Sequence, residues 1–227
     1  MARRRNQKQQ DDTLVDIVEA RENAQDFFEA NQNYILGGLL LLVLVIGGWF
    51  AYNNYYKAPR QKQAMEQMSQ AQYQFERDSF ALALENPGNG FDGFLDIIEK
   101  YSGTAAANTA SYYAGISWLN LGEHKAAISY LEDFSTTDYA LGITRLGALG
   151  DAHSELGEMD KAISYYNKAI KYGDNQLLTA IYIYKLGLLQ MHMGKTEDAQ
   201  STFKKLIEKY PNSNQAKYAE RYIAVQE

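Results

Sequence analysis

An uninterrupted apolar run near the N-terminus constrains this chain more than any other feature. Residues 34–52 read YILGGLLLLVLVIGGWFAY, nineteen residues without a charged side chain. A bilayer core about 30 Å thick needs roughly 20 apolar helical residues. A buried core helix would carry a polar face, and a cleavable signal peptide would not follow 33 mostly polar residues. We therefore predict a retained single transmembrane helix over 34–52.

The residues in and around this run bear on its docking and its direction. Small residues let helices approach closely in lipid, although glycine is common in spanning helices generally. The candidate docking positions for another membrane helix are Gly37, Gly38, Gly47 and Gly48. Positive charges close to the two ends favour neither direction, whereas the short leader with its Arg-rich start favours a cytoplasmic N-terminus.

Composition excludes several classes of function. The net charge is −6, and the part after Tyr56 carries 17 basic and 21 acidic residues, which argues against a nucleic-acid partner. Cysteine is absent, so a disulfide framework, thiol catalysis and a cysteine zinc site are excluded. With three prolines in 227 residues and no strand-type alternation, the chain is predicted to be mostly helical.

The part after the span repeats one pattern three times. A small residue is followed by glycine seven positions on, alanine five further and a bulky residue four beyond, and successive glycines are 35 and 37 residues apart. The three sets are Gly115, Gly122, Ala127 and Leu131; Gly150, Gly157, Ala162 and Tyr166; and Gly187, Gly194, Ala199 and Phe203.

Helix packing explains each position of the pattern. The first small residue lets two helices cross, the second glycine closes the first helix in the left-handed conformation, and the alanine admits the second helix. The pattern resembles the tetratricopeptide repeat, a helix–turn–helix unit of about 34 residues. The resemblance implies an all-α fold, with one transmembrane helix followed by a tetratricopeptide-repeat α-solenoid of three to four helix pairs.

Weaker signals complete the predicted organisation. FLDIIEKYSGT at 94–104 aligns with FKKLIEKYPNS at 203–213 and predicts a degenerate first unit, whose first helix lies within 61–84 and whose turn is Asn86–Gly90. A helix over 215–225 would cap the far end, and Pro59 predicts a break or kink. The predicted domains are a cytoplasmic leader 1–33, the span 34–52, a stalk with the first repeat helix 53–86, and the repeat domain 87–227.

The leader carries a predicted amphipathic helix over 13–30, capped by Asp11 and Asp12. Membrane-surface helices are usually rich in Lys and Arg, but this one is acidic. A protein partner or a continuation of the span is therefore favoured over lipid binding, and a plain lead-in helix is the simpler interpretation.

Catalytic constellations are not found in the sequence. His124, His153 and His192 occupy different repeat positions without metal-ligand spacing, and the glycines near 142–150 lack a phosphate-binding pattern. We therefore expect no enzyme activity, no metal and no cofactor.

Function is expected on the surface formed by the first helix of each repeat. In the family these helices line a concave groove, and its positions fall here on Tyr112, Ile116, Leu119 and Asn120; on Gly147, Asp151, Ser154 and Glu155; and on Tyr184, Leu188, Met191 and His192. The basic residues of the family's carboxylate clamp are missing at these places. The residues suit an apolar or basic extended segment, or a partner helix, and the alternative is that they pack within the superhelix.

The layout of one N-terminal span followed by such repeats is similar to the YfgM family of bacterial inner-membrane proteins. That resemblance implies a periplasmic repeat domain and a role as an ancillary subunit of the Sec translocon. The implied partners are translocon channel subunits, a membrane-anchored prolyl isomerase or chaperone, and exported polypeptides. Two alternatives remain: a structural assembly factor of another cell-envelope complex, or an organelle-surface receptor with cytosolic repeats.

Overall fold

The computed structural model describes residues 2–224, with the side chains of residue 21 and residues 25–224. Helices and their connections account for this part of the chain, and it contains no strand. The helices are α1 Ala2–Ala51, a π-helical segment Tyr52–Lys57, α2 Ala58–Glu76, α3 Phe80–Glu85, α4 Phe94–Lys100, α5 Ala105–Asn120, α6 His124–Asp133, α7 Tyr139–Glu155, α8 Met159–Tyr172, α9 Leu178–His192, α10 Thr196–Lys209 and α11 Asn214–Ala224. They form two compact units, Met1–Ala58 and Pro59–Glu227.

The N-terminal unit is one long helix, α1, followed by the π-helical segment. Because α1 begins at Ala2, the prediction that Asp11 and Asp12 cap a separate leader helix is wrong. Residues 2–33 contain no glycine or proline that would end a helix, so leader and apolar run share one helix. Most of the apolar face predicted for 13–30 falls on side chains outside the described ones.

The apolar run within α1 is exposed from Leu36 to Tyr52. Side chains from Leu36 (51 % exposed) to Phe50 (60 % exposed) are open, and by length and composition this helix is a candidate membrane span. A Cβ placed on any of the four docking glycines would meet no described atom within 4 Å. These glycines therefore lie on an open surface.

Pro59 does not end the helical backbone. The backbone is helical on both sides of Pro59, and the six residues Tyr52–Lys57 directly before Ala58 are π-helical. A π turn is wider than an α turn and relieves the clash between a proline ring and the carbonyl four residues earlier. The predicted break is thus replaced by a local change of helix type.

The C-terminal unit stacks three helix pairs, α5–α6, α7–α8 and α9–α10, as the repeat pattern predicts. At each crossing a glycine lies against the bulky residue of its own repeat. A Cβ on Gly187 would come within 2.4 Å of the Phe203 ring, and one on Gly115 within 2.6 Å of Leu131. The turn glycines adopt left-handed backbone, for example φ +81° at Gly122.

A degenerate unit and a terminal helix bracket these pairs. α2 packs with α3 and α4 around Ala64, Met68 and Phe94, and the chain leaves α2 at Glu76 through a left-handed Asp78. The region 61–84 holds most of α2 and most of α3, and the helix predicted within it corresponds to α2. At the other end α11 covers α9 and α10, as expected for a cap.

Candidate protein-binding groove

The predicted groove residues all lie on the first helices α5, α7 and α9, which pack in succession along the solenoid. Asn120, Glu155 and His192, at the C-terminal end of each helix, are exposed. Most of the other predicted groove residues are half-buried, because each first helix packs against the first helix of the next repeat. The face that a ligand meets is therefore narrower than the sequence positions indicate.

The α5 section of the groove is apolar with one hydroxyl pair. Tyr112, Ile116 and Leu119 pack against the buried cluster around Leu131. The Tyr112 hydroxyl donates to Thr144 Oγ1 on α7 at 3.1 Å. Burial raises the pKa of Tyr112, so its hydroxyl stays neutral at physiological pH.

The α7 section centres on a carboxylate that is already paired. Lys185 Nζ on α9 donates to both oxygens of Asp151 at 2.7 Å, and the Tyr166 hydroxyl donates to Asp151 Oδ1 at 2.8 Å. These contacts neutralise the Asp151 carboxylate, and Glu155 remains as an exposed carboxylate of this section. Lys185 is not among the residues predicted from the repeat positions, although it follows Asp151 by about one repeat length.

Gly147 lies in the same section but is buried. A Cβ at this position would fall 1.9 Å from the Tyr182 ring, so glycine allows Tyr182 of α9 to lie against the α7 backbone. Burial, followed by the charge of Asp151, raises the pKa of Tyr182 well above its ordinary value. Gly147 thus serves packing between repeats and offers no side chain to a ligand.

The α9 section is partly covered by the terminal helix. Tyr184, Leu188 and Met191 pack against the cluster that α11 completes. The Tyr184 ring lies 6.2 Å from Tyr218 and 6.3 Å from Tyr222, both on α11. These two α11 tyrosines are not among the predicted groove residues, although their i, i+4 spacing places them on one helix face.

Of the histidines, His153 has a packing environment, whereas His192 is exposed. His153 is buried, contacts Glu158 Oε2 through Nδ1 at 2.6 Å and stacks on Tyr165 with ring centroids 5.1 Å apart. Among the described residues, no group of three or more His, Asp or Glu side chains is placed to hold a metal ion.

Comparison with known proteins identifies the repeat. Residues 144–172 and 182–213 each match the tetratricopeptide repeat, and these matches cover most of the second and third helix pairs. No curated protein matches the chain. The two matches and the stacked helix pairs agree, so this part of the chain consists of tetratricopeptide repeats.

Proposed function

We propose that this chain is a membrane-anchored protein-binding scaffold, with α1 as the anchor and the first helices as the binding face. One observation carries the proposal: aromatic and aliphatic side chains on α5 and α9 flank a carboxylate that Lys185 already neutralises. A carboxylate clamp would require unpaired basic groups, whereas an apolar face with the exposed carboxylate of Glu155 suits an apolar or basic segment, or a helix.

Within that class we propose the role implied by the YfgM resemblance, an ancillary subunit of the Sec translocon. The leader would lie in the cytoplasm and the repeats in the periplasm, where they would contact exported polypeptides or a membrane-anchored chaperone. The layout of leader, apolar helix and repeats supports this role. Anchoring raises the local concentration of the scaffold at the membrane, so weak groove contacts suffice.

Site-specific photocrosslinking in membranes tests the binding face. A photoreactive residue at Asn120, exposed on α5, is expected to crosslink to polypeptides in transit. The matched control is Ser164, which is exposed on the second helix α8. Equal crosslinking from both positions, or none from Asn120, would contradict the proposed face.

Purification in mild detergent tests the translocon role. Channel subunits are expected to co-purify with the full chain. Stable stoichiometric partners from another envelope complex would instead identify an assembly factor. Protease cleavage of the repeats from the cytosolic side would identify a cytosol-facing receptor. Consistent absence of channel subunits would end the translocon proposal and leave the scaffold proposal standing.

A further inference from the structure

A groove of about 610 Å³ is lined by residues of the second helices α8 and α10 and of the first helix α9 that connects them in the chain. Ile170, Ile183 and Leu186 contribute apolar walls, and Thr202 and Lys205 stand at the edge. Ligand sites in proteins span roughly 300–1,000 Å³, so the groove is large enough for a side chain with its flanking backbone.

The equivalent gap one repeat earlier is filled by the chain itself. The Tyr165 ring stacks on His153 with centroids 5.1 Å apart and planes 11° from parallel. Its hydroxyl donates to Glu132 Oε1 at 3.1 Å. Lys168 Nζ lies 4.5 Å from the centre of the ring. An aromatic ring between a flat platform and a lysine therefore closes the space between α6 and α8.

The third repeat keeps the surroundings of this ring but lacks the ring. Residues 37 positions apart are equivalent in the second and third repeats. By this spacing Thr202 is equivalent to Tyr165, Gln190 to His153 and Lys205 to Lys168. Thr202 Oγ1 donates to Gln190 Oε1 at 2.7 Å, which forms a flat polar platform. Asn167 follows Glu132 by 35 residues and is its equivalent in the next repeat. Its side-chain amide oxygen takes the place of the carboxylate.

We infer that the groove between α8 and α10 receives a tyrosine or phenylalanine side chain from an extended segment of a partner protein. The second repeat shows the chemistry that fits: a ring over a planar platform, a lysine on its face, and an oxygen within reach of a hydroxyl. Aromatic anchors of this kind supply much of the energy of protein interfaces. This site is lined by residues of α8, α9 and α10 and shares no residue with the proposed first-helix face.

Titration with p-cresol, the tyrosine side-chain analogue, tests the inference on the full chain in detergent. We expect saturable NMR shifts at the methyl groups of Ile183 and Leu186, with weaker binding of the saturated analogue methylcyclohexanol. Thr202→Tyr should abolish the shifts, because it restores the ring that fills the gap in the second repeat. The matched control Ser201→Tyr, at an exposed neighbouring position on α10, should leave them unchanged.

A second variant keeps the test decisive if Thr202→Tyr does not fold. Lys205→Ala leaves the groove open and should weaken p-cresol binding about threefold, through loss of the cation–π contact. Absence of saturable shifts at Ile183 and Leu186, or equal effects of Thr202→Tyr and Ser201→Tyr, would overturn the site. Self-association of the wild-type chain that Thr202→Tyr removes would show that a second copy fills the groove, and would overturn the assignment to a partner protein.

Discussion

Lys185 on α9 donates to both carboxylate oxygens of Asp151 on α7, each at 2.7 Å, and so joins the first helices of two consecutive repeats. The pair is partly exposed, with 39 % of the Lys185 side chain and 24 % of the Asp151 side chain accessible. Tyr166 adds a third donor to the same carboxylate. The contact therefore stabilises stacking between repeats and removes a free negative charge from the proposed binding face.

Replacing Lys185 with methionine should destabilise the repeat unit by about 1 kcal/mol, because a half-buried carboxylate loses its charged partner. Urea unfolding of the full chain in detergent measures this change. The matched control is Lys161→Met, whose pair with Glu158 is more exposed and should cost less. Equal losses from the two variants would show that the pair between repeats has no special role.

Substituting alanine for Gly187 should destabilise the third repeat by about 1–3 kcal/mol, because the added Cβ would lie 2.4 Å from the Phe203 ring. Thermal unfolding measures the loss. The double variant Gly187→Ala/Phe203→Leu makes room for the methyl group and should cost less than the sum of the two single changes. Strict additivity would contradict the close approach at this crossing.

Acid should weaken the turn of the second repeat. The hydrogen bond from Lys161, and next that from His153, hold the pKa of Glu158 below its ordinary 4.5. A depressed carboxyl pKa stabilises the fold above pH 4.5, and this contribution is lost as pH falls through the folded-state pKa. Melting temperatures measured over this range should fall less steeply for Glu158→Gln than for the wild type. Parallel curves for both proteins would rule out this contribution.

Alkali should weaken the contact between the second and third repeats. Burial and the charge of Asp151 raise the pKa of both Tyr166 and Tyr182 above the ordinary 10.0. A raised tyrosine pKa stabilises the fold below about pH 10, and the contribution is lost as pH rises further. Tyrosinate absorbance should therefore show a late group of tyrosines that titrates together with unfolding. Tyr182→Phe should reduce that group, and an unchanged titration would contradict the assignment.

Enlarging the docking glycines should weaken partner association within the membrane. A Cβ on Gly47 or Gly48 meets no described atom of this chain, so Gly47→Leu/Gly48→Leu should leave the repeat unit intact. If another membrane helix packs there, the leucines would hold it away and reduce co-purification of membrane partners. Val43→Leu on the same helix serves as the control. Undiminished recovery of partners would remove the docking role from these glycines.

The apolar run, the helical fold, the repeat period and the turn glycines could all be predicted from the sequence. Each depends on local composition or on a spacing within one helix pair: Gly122 predicts a left-handed turn, and Gly187 predicts a close crossing wherever the chain lies in space. The groove positions on α5, α7 and α9 are what the resemblance to the tetratricopeptide repeat implies. The exposed fraction of each residue could not be predicted, because it depends on how closely each first helix packs against the next first helix.

The tertiary structure alone decided which of these side chains are available. The pairing of Lys185 with Asp151 joins residues 34 positions apart, and the cover over Tyr184 comes from Tyr218 and Tyr222 on another helix. The groove between α8 and α10 is lined by Thr202, at the repeat position that Tyr165 occupies one repeat earlier. Sequence spacing determines which residues share a helix face, but the stacking of helix pairs determines what each face meets.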